Sequence, residues 1–432
     1  MLTAVELTVY AISAVVQTVP IGTNIALVHL LWVMMSGGFL QSRGAVFAAL
    51  AVKGFNEQEV RRSWAALHSG AWDSNELLAN WQLFVASENQ WRARRHEGYR
   101  VVSVDITGFW RPRLKGWLGK HFHSIAQRAL PAIVLGVMVS AGQVKDKRVP
   151  LLHRLVRCEP TADKATFRAQ LLKEAKQHVA PDQAIVVDAE FEIAELQAAE
   201  ISHYVLRLAV NCTARRNQLP AYKGKGCKPK FGELVRPLAR THKGITIAAS
   251  PPDEQSHFVD EGRTITVNSW HNLLPANTHV SATAATFAIY TYADPRYQQP
   301  LLVATGLTKI KPETAYYIYR DRWPVEQPPL AAKQMIGLHR QFVFAAEACF
   351  RLPELSLIAG AILTYMAAVL PPVPSGFWDR APQATPGRLR RLLERTDFST
   401  LPVDDPQLRK KNSVTAHLPM GIAAHRRIKR VT

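Results

Sequence analysis

Residues 99 to 210 narrow the choice of fold most. "YRVVSVDITGF" (99–109) alternates apolar and polar residues as a half-buried strand does, and "AIVLGVMVSA" (132–141) is an apolar run suited to a central strand. "DKATFRAQLLKEAKQHV" (163–179) has helical periodicity. "DQAIVVDAEF" (182–191) is a short β-branched strand ending in acid. A helix-like "EIAELQAAE" and another strand, "HYVLRLAV", follow. Strands, helix, strand, helix and strand in that order predict a mixed α/β sheet.

Other regions have other textures. Residues 1–98 read as helical, and within them "GAVFAALAVKGFNEQEVRRSWAALHSG" has the rhythm of helix, glycine turn, helix. Asn56 and Glu59 stand at capping-box spacing, with Arg61 and Arg62 on the second helix; a DNA-reading helix and an ordinary helical hairpin both fit. Residues 211–300 open with the cationic loop "TARRNQLPAYKGKGCKPKFG" and continue in short strands, as a β-rich insertion. The α/β unit resumes over 301–345 with the helix of "PETAYYIYRDRW", and 346–432 reads as a helical, basic C-terminal region.

Fifty-three Lys and Arg against thirty-four Asp and Glu give a net charge of +19, a surplus that favours a polyanionic partner, nucleic acid or an anionic membrane face. The apolar runs at 24–40 and 355–370 are interrupted or short for a bilayer span, so buried core helices are expected. Cys158, Cys212, Cys227 and Cys349 stand far apart with no C-x-x-C pair, against a zinc site or a disulfide framework. No charged segment with a cleavage site opens the sequence, and a cytosolic setting without membrane attachment is expected.

The chemistry gathers in "YIYRDRWPVEQPPLAAKQ" (317–334). Projected at about 100° per residue, Arg322, Glu326 and Lys333 fall near roughly −60°, −20° and −40° from Tyr319, on one helical face. A surface ladder of ion pairs also fits that stripe. Asp105 sits on the first strand of the α/β section and Asp188 ends a later one, where ligands of open α/β sheets gather. Three carboxylates brought together repel one another unless cations neutralise them, and Mg²⁺ suits such hard oxygen donors. Two ions about 3.5–4 Å apart serve phosphodiester chemistry.

Tyr319, Arg322, Glu326 and Lys333 reproduce Y-x2-R-x3-E-x6-K with every gap intact, and so resemble the YREK class of DDE transposases of bacterial insertion sequences. Asp105 in "VDIT" and Asp188 in "VVDAEF" resemble the other two signature acids, and the likeness covers about 99 to 345. It implies an RNase H-like core that cuts transposon ends and joins them to target double-stranded DNA as a homodimer. Asp105, Asp188 and Glu326 would hold two Mg²⁺ ions, with Mn²⁺ able to substitute. Arg322 and Lys333 would hold DNA phosphates with Tyr319 beside them. Trp270 in "VNSWHN" is the candidate for stacking on a flipped base, or else a core tryptophan on its strand.

Two departures stand out. Pro328 and Pro329 remove amides that a straight helix through 324–329 needs. Ala189 and Glu190 follow the second Asp where relatives carry a basic residue; Glu190 reads as a spare metal ligand or the next helix's N-terminal acid. "RPRLKGWLGKHFH" (111–123), "KGKGCKPK" and the terminal "HRRIKR" are candidate DNA contacts or solvated faces. Rival readings are a DNA-binding descendant without catalysis and a metal nuclease that cuts but never joins.

Overall fold

The computed structural model describes residues 3–398 apart from Lys223 and Lys225; "HRRIKR" lies outside the described residues, as does part of "KGKGCKPK". The expected mixed α/β sheet is present. Strands β1 (Tyr99–Trp110), β2 (Arg128–Ser140) and β3 (Leu151–Arg157) form an antiparallel meander. After the helix Lys164–His178, β4 (Gln183–Val187) returns parallel to β1; after the short helix Ile193–Ala198, β5 (Tyr204–Arg207) lies parallel to β4. The spatial order is β3-β2-β1-β4-β5.

The β-rich stretch does not stand apart from this sheet. Its strands β6 (Arg263–Pro275) and β7 (Phe287–Ala293) pair with each other, β7 pairs with β8 (Leu301–Thr305), and β8 pairs antiparallel with β5. One continuous sheet of thirteen strands among the described residues results.

The period-two alternation of β1 sorts its two faces. Val102, Val104 and Ile106 pack with Phe167, Leu171 and Leu172 of the helix Lys164–His178. On the opposite face, Phe109 joins Ile133, Leu135 and Val137 of β2 under a helical layer. The N- and C-terminal helices build that layer together: the helices Thr23–Met35, Glu57–Ser69 and Ser74–Ser87 pack on Ala346–Val369 in one core. The expected capping box is present, with Asn56 and Glu59 exchanging two bonds of 3.0 Å. Its helix, Glu57–Ser69, leaves Arg61 exposed and paired with Glu57.

Ala346–Val369 is long and apolar enough to cross a membrane, yet 94% of its most apolar window is buried within the protein, as in a core helix. A buried ion cluster ties it to the sheet. Arg157 of β3 grips both oxygens of Glu354 at 2.6 and 2.8 Å and reaches Glu347 at 2.9 Å.

Candidate functional site

The segment carrying the motif follows the helix Pro312–Arg320, which has proline at its first position and stops at Asp321. A 3₁₀ turn (Trp323–Glu326), one α turn (Gln327–Leu330) and a π turn (Ala331–Met335) then succeed one another. The straight helix assumed in the angular projection is therefore not formed. Pro324, Pro328 and Pro329 donate no amide hydrogen, and the hydrogen-bond register shifts around them while the backbone stays right-handed. The segment lies close against Ala346–Val369 at Gly360, where an added Cβ would stand 3.0 Å from Pro328 O and 3.1 Å from Ala331 Cβ.

Along this path the segment tracks the odd-numbered face of β1. Ser103 Oγ donates to Asp321 O at 3.5 Å, and Lys333 Nζ donates to Thr107 Oγ1 at 2.8 Å. Lys333 also lies 5.3 Å from the Phe109 ring centre and 5.0 Å from that of Trp110. Asp105 sits between Ser103 and Thr107 on the same face. The parallel register pairs Arg100 with Gln183 through Ser103 with Val186; continued two residues, it sets Asp105 beside Asp188. Both acids thus stand toward the carboxyl ends of adjacent parallel strands.

Arg322 joins the acids. Its Nη2 lies 3.5 Å from Asp188 Oδ2 and 3.0 Å from Glu326 Oε1, and Arg207 of β5 approaches Asp188 at 3.7 Å. The buried Arg322 Nε has no hydrogen-bond partner among the described residues. Tyr319 lies under the guanidinium, 5.8 Å from ring centre to Cζ. Among the described residues no three His, Cys, Asp or Glu side chains are gathered tightly enough to hold a metal ion. In this arrangement the Arg322 guanidinium lies between Asp188 and Glu326.

The titrating groups respond to that setting. Burial pushes the Asp105 carboxyl up to about 6, with Glu190 and Asp188 adding to it and Arg322 and the Ile106 amide opposing. Burial pulls the Lys333 ammonium down to about 8, against the attraction of Asp105. For Arg322 burial acts downward, but Tyr319, Asp188, Asp105 and Glu326 hold its pKa above the ordinary value. Burial, then the Asp188 charge, raises the Tyr319 phenol.

Trp270 is a correction. Its side chain is 1% exposed in the core beside Leu273, Phe287 and Ile289, and its Nε1 donates to Pro251 O at 2.9 Å. No face is open to a base. Glu190 is not at the next helix's cap, a place taken by Glu192; it pairs with Lys164 at 2.8 Å. Arg111, read as part of a DNA path, is buried and donates to Val343 O, whereas Arg113 and Lys115 are exposed.

The structure also adds residues. A cavity of about 600 Å³ opens beside Arg322 and is lined by Arg148, Arg207, Arg296, Tyr297, Tyr319 and the exposed Trp323, among others. His121, on the hairpin that crosses Gly108, is pulled down to about 4 by burial and Lys333. That crossing needs a glycine, since a Cβ on residue 108 would lie 2.3 Å from His121 Cβ. Trp323 was legible, standing inside the motif; Arg207 and His121 carried no spacing signal.

No protein-family model and no curated protein matches the chain. Among solved structures, a piggyBac transposase synaptic complex with hairpin DNA aligns at 10% identity and TM-score 0.35, covering 86% of this chain and 70% of that one. The NurA nuclease from Sulfolobus solfataricus aligns at 9% identity and TM-score 0.22, covering 56% of this chain and 82% of that one. Similarity this slight leaves function to the chain's own residues.

Proposed function

We propose that the chain is a Mg²⁺-dependent DDE transposase of an insertion sequence, which cuts and rejoins DNA phosphodiesters. The observation that carries this reading is Arg322 linking Asp188 to Glu326 beside Asp105, three acids from three separate elements. The order β3-β2-β1-β4-β5, with β4 and β5 parallel in direction to β1, supports an RNase H-like core.

Asp105, Asp188 and Glu326 are a hard-oxygen donor set suited to Mg²⁺, which when bound would activate a nucleophilic oxygen and stabilise the leaving one. The chain's own groups do the rest. Arg322 turns from the carboxylates to a DNA phosphate, a planar fork exchanging one anion for another. Lys333 holds a second phosphate from its seat on Thr107. The cationic, aromatic-lined cavity takes over the base-holding role assigned from sequence to Trp270, with Trp323 and Tyr297 as its exposed rings. Double-stranded transposon ends and target DNA are the proposed partners, paired by a homodimer in the bacterial cytosol.

The test is Mg²⁺-dependent cleavage of DNA carrying the sequences that flank the gene, followed by strand transfer from a precut end. Cleavage and joining by the wild type, both absent in Asp188→Ala, are expected. Wild-type cleavage by Asp188→Ala would defeat the reading. Cutting without joining assigns a nuclease, and binding without cutting a DNA-binding descendant.

A further inference from the structure

Between the helices Ala346–Val369 and Pro386–Glu394 the chain makes an excursion, "PPVPSGFWDRAPQAT" (371–385). Its tip carries the most exposed large apolar side chains among the described residues apart from Ile125: Phe377 is 92% exposed and Trp378 86%. The loop beneath them is held fast. Asp379 accepts from Ser375 N at 2.9 Å, Ser375 Oγ at 3.0 Å and Ala381 N at 3.1 Å, and pairs with Arg388 at 2.7 Å. Val373 and Gln383 bridge its base, and four prolines restrict its backbone. Two adjacent aromatics are therefore presented to solvent by a tied frame.

Their position bears on what they meet. Lys147 Nζ donates to Ala384 O at 3.1 Å, and its neighbour Arg148 donates to Arg320 O at 3.3 Å while lining the cavity with Arg207, Arg322 and Trp323. Successive residues Lys147 and Arg148 thus reach the base of the loop and the lining of the cationic cavity respectively. Exposed Lys147 at its base and exposed Arg380 beside the aromatics are cationic, while Asp379 is neutralised by Arg388. The two rings meet edge to face, 5.0 Å apart at 83°, leaving ring faces free in two directions.

We propose that Phe377 and Trp378 form a stacking platform for unpaired bases of DNA leading from the site. Every base has a π-face and every linking phosphate a charge that these cations attract, the pairing that single-strand grooves use. A second copy seated loop against loop is the less favoured occupant of this patch, because it would set exposed Lys147 and Arg380 against their own like charges. The inference rests on the DNA-processing reading for its partner, but not on cleavage.

Fluorescence anisotropy in metal-free buffer tests it, with a fully paired duplex and the same duplex carrying about six central unpaired nucleotides. Wild type is expected to bind the unpaired form more tightly. The double variant Phe377→Ser, Trp378→Ser is expected to lose about tenfold on that form only, with the salt slope unchanged because no phosphate contact is removed. Equal affinity of the wild type for both DNAs, an equal loss on both, or no loss would overturn the proposal. Unchanged DNA binding with loss of self-association in sedimentation would assign the loop to a second copy instead. Failure of the cleavage reading would appear with Asp188→Ala and leave this comparison standing.

Discussion

Arg157 and Arg322 each hold two acids, yet they are built differently: both partners of Arg157 stand on the helix Ala346–Val369, whereas Asp188 and Glu326 come from separate elements. Arg157 meets Glu354 through two parallel bonds, adds Glu347, and lies with a Glu354 side chain only 1% exposed. Arg322 reaches both partners through a single nitrogen at 3.0 and 3.5 Å, with Asp188 30% and Glu326 49% exposed, and leaves its buried Nε without a bond. In the first, Glu354 is saturated and dry, so removing Arg157 strands its charge, while Arg157 and Glu347 themselves are 29% and 42% exposed. The second is half-wet and incomplete, so its members can change partners at little cost. One cluster ties the helical layer to the sheet; under the proposed function the other exchanges its ligands.

The largest expected effect falls on chemistry. Asp188→Ala should lower Mg²⁺-dependent cleavage by about a thousandfold, equivalent to roughly 4 kcal/mol, while the melting temperature stays close to that of the wild type. Paired cleavage and melting measurements check both halves. Next, Arg157→Met, which strands the Glu354 carboxylate, should destabilise the fold by about 3–5 kcal/mol in urea titration, against less than about 1 kcal/mol for Glu326→Gln. Equal losses would erase the distinction between the clusters.

A smaller effect concerns exchange itself. Arg322→Gln removes the competing guanidinium, so calorimetry without DNA should show Mn²⁺ binding about tenfold tighter, a change of roughly 1.4 kcal/mol, together with weaker DNA binding. The smallest is a pH dependence. The Lys333 pKa is lowered by burial to about 8 in the fold, against 10.5 when unfolded. Between those values the unfolded chain binds more protons, so stability rises as pH goes from about 8 to 10.5, the cost of burying the Lys333 ammonium being fully present below 8 and relieved above 10.5. Urea melts of wild type and Lys333→Met at pH 8 and pH 10 should show that rise in the wild type alone.

What could be read from sequence follows the range of the forces involved. The alternation of "YRVVSVDITGF" fixes which side of β1 Asp105 shares with Thr107, because period two is local. The Asn56–Glu59 box is equally local. The shared face of Tyr319, Arg322, Glu326 and Lys333 assumed one helix; the prolines were visible, but not that successive 3₁₀, α and π turns would bring Lys333 to Thr107. Trp270 sits on β6 in a buried cluster with Phe287 and Ile289 of β7, and burial set by residues distant in sequence leaves no mark near it. The joint core of the two helical ends is nonlocal in the same way. Arg207 approaches Asp188 only because β4 and β5 are parallel neighbours.

The most direct test of the account is the anomalous X-ray signal from crystals soaked in Mn²⁺. The account predicts a metal peak in contact with the carboxylates of Asp105 and Asp188, with Arg322 turned away from Asp188. Manganese bound elsewhere, or Arg322 still on both acids with no peak between the strands, would contradict it.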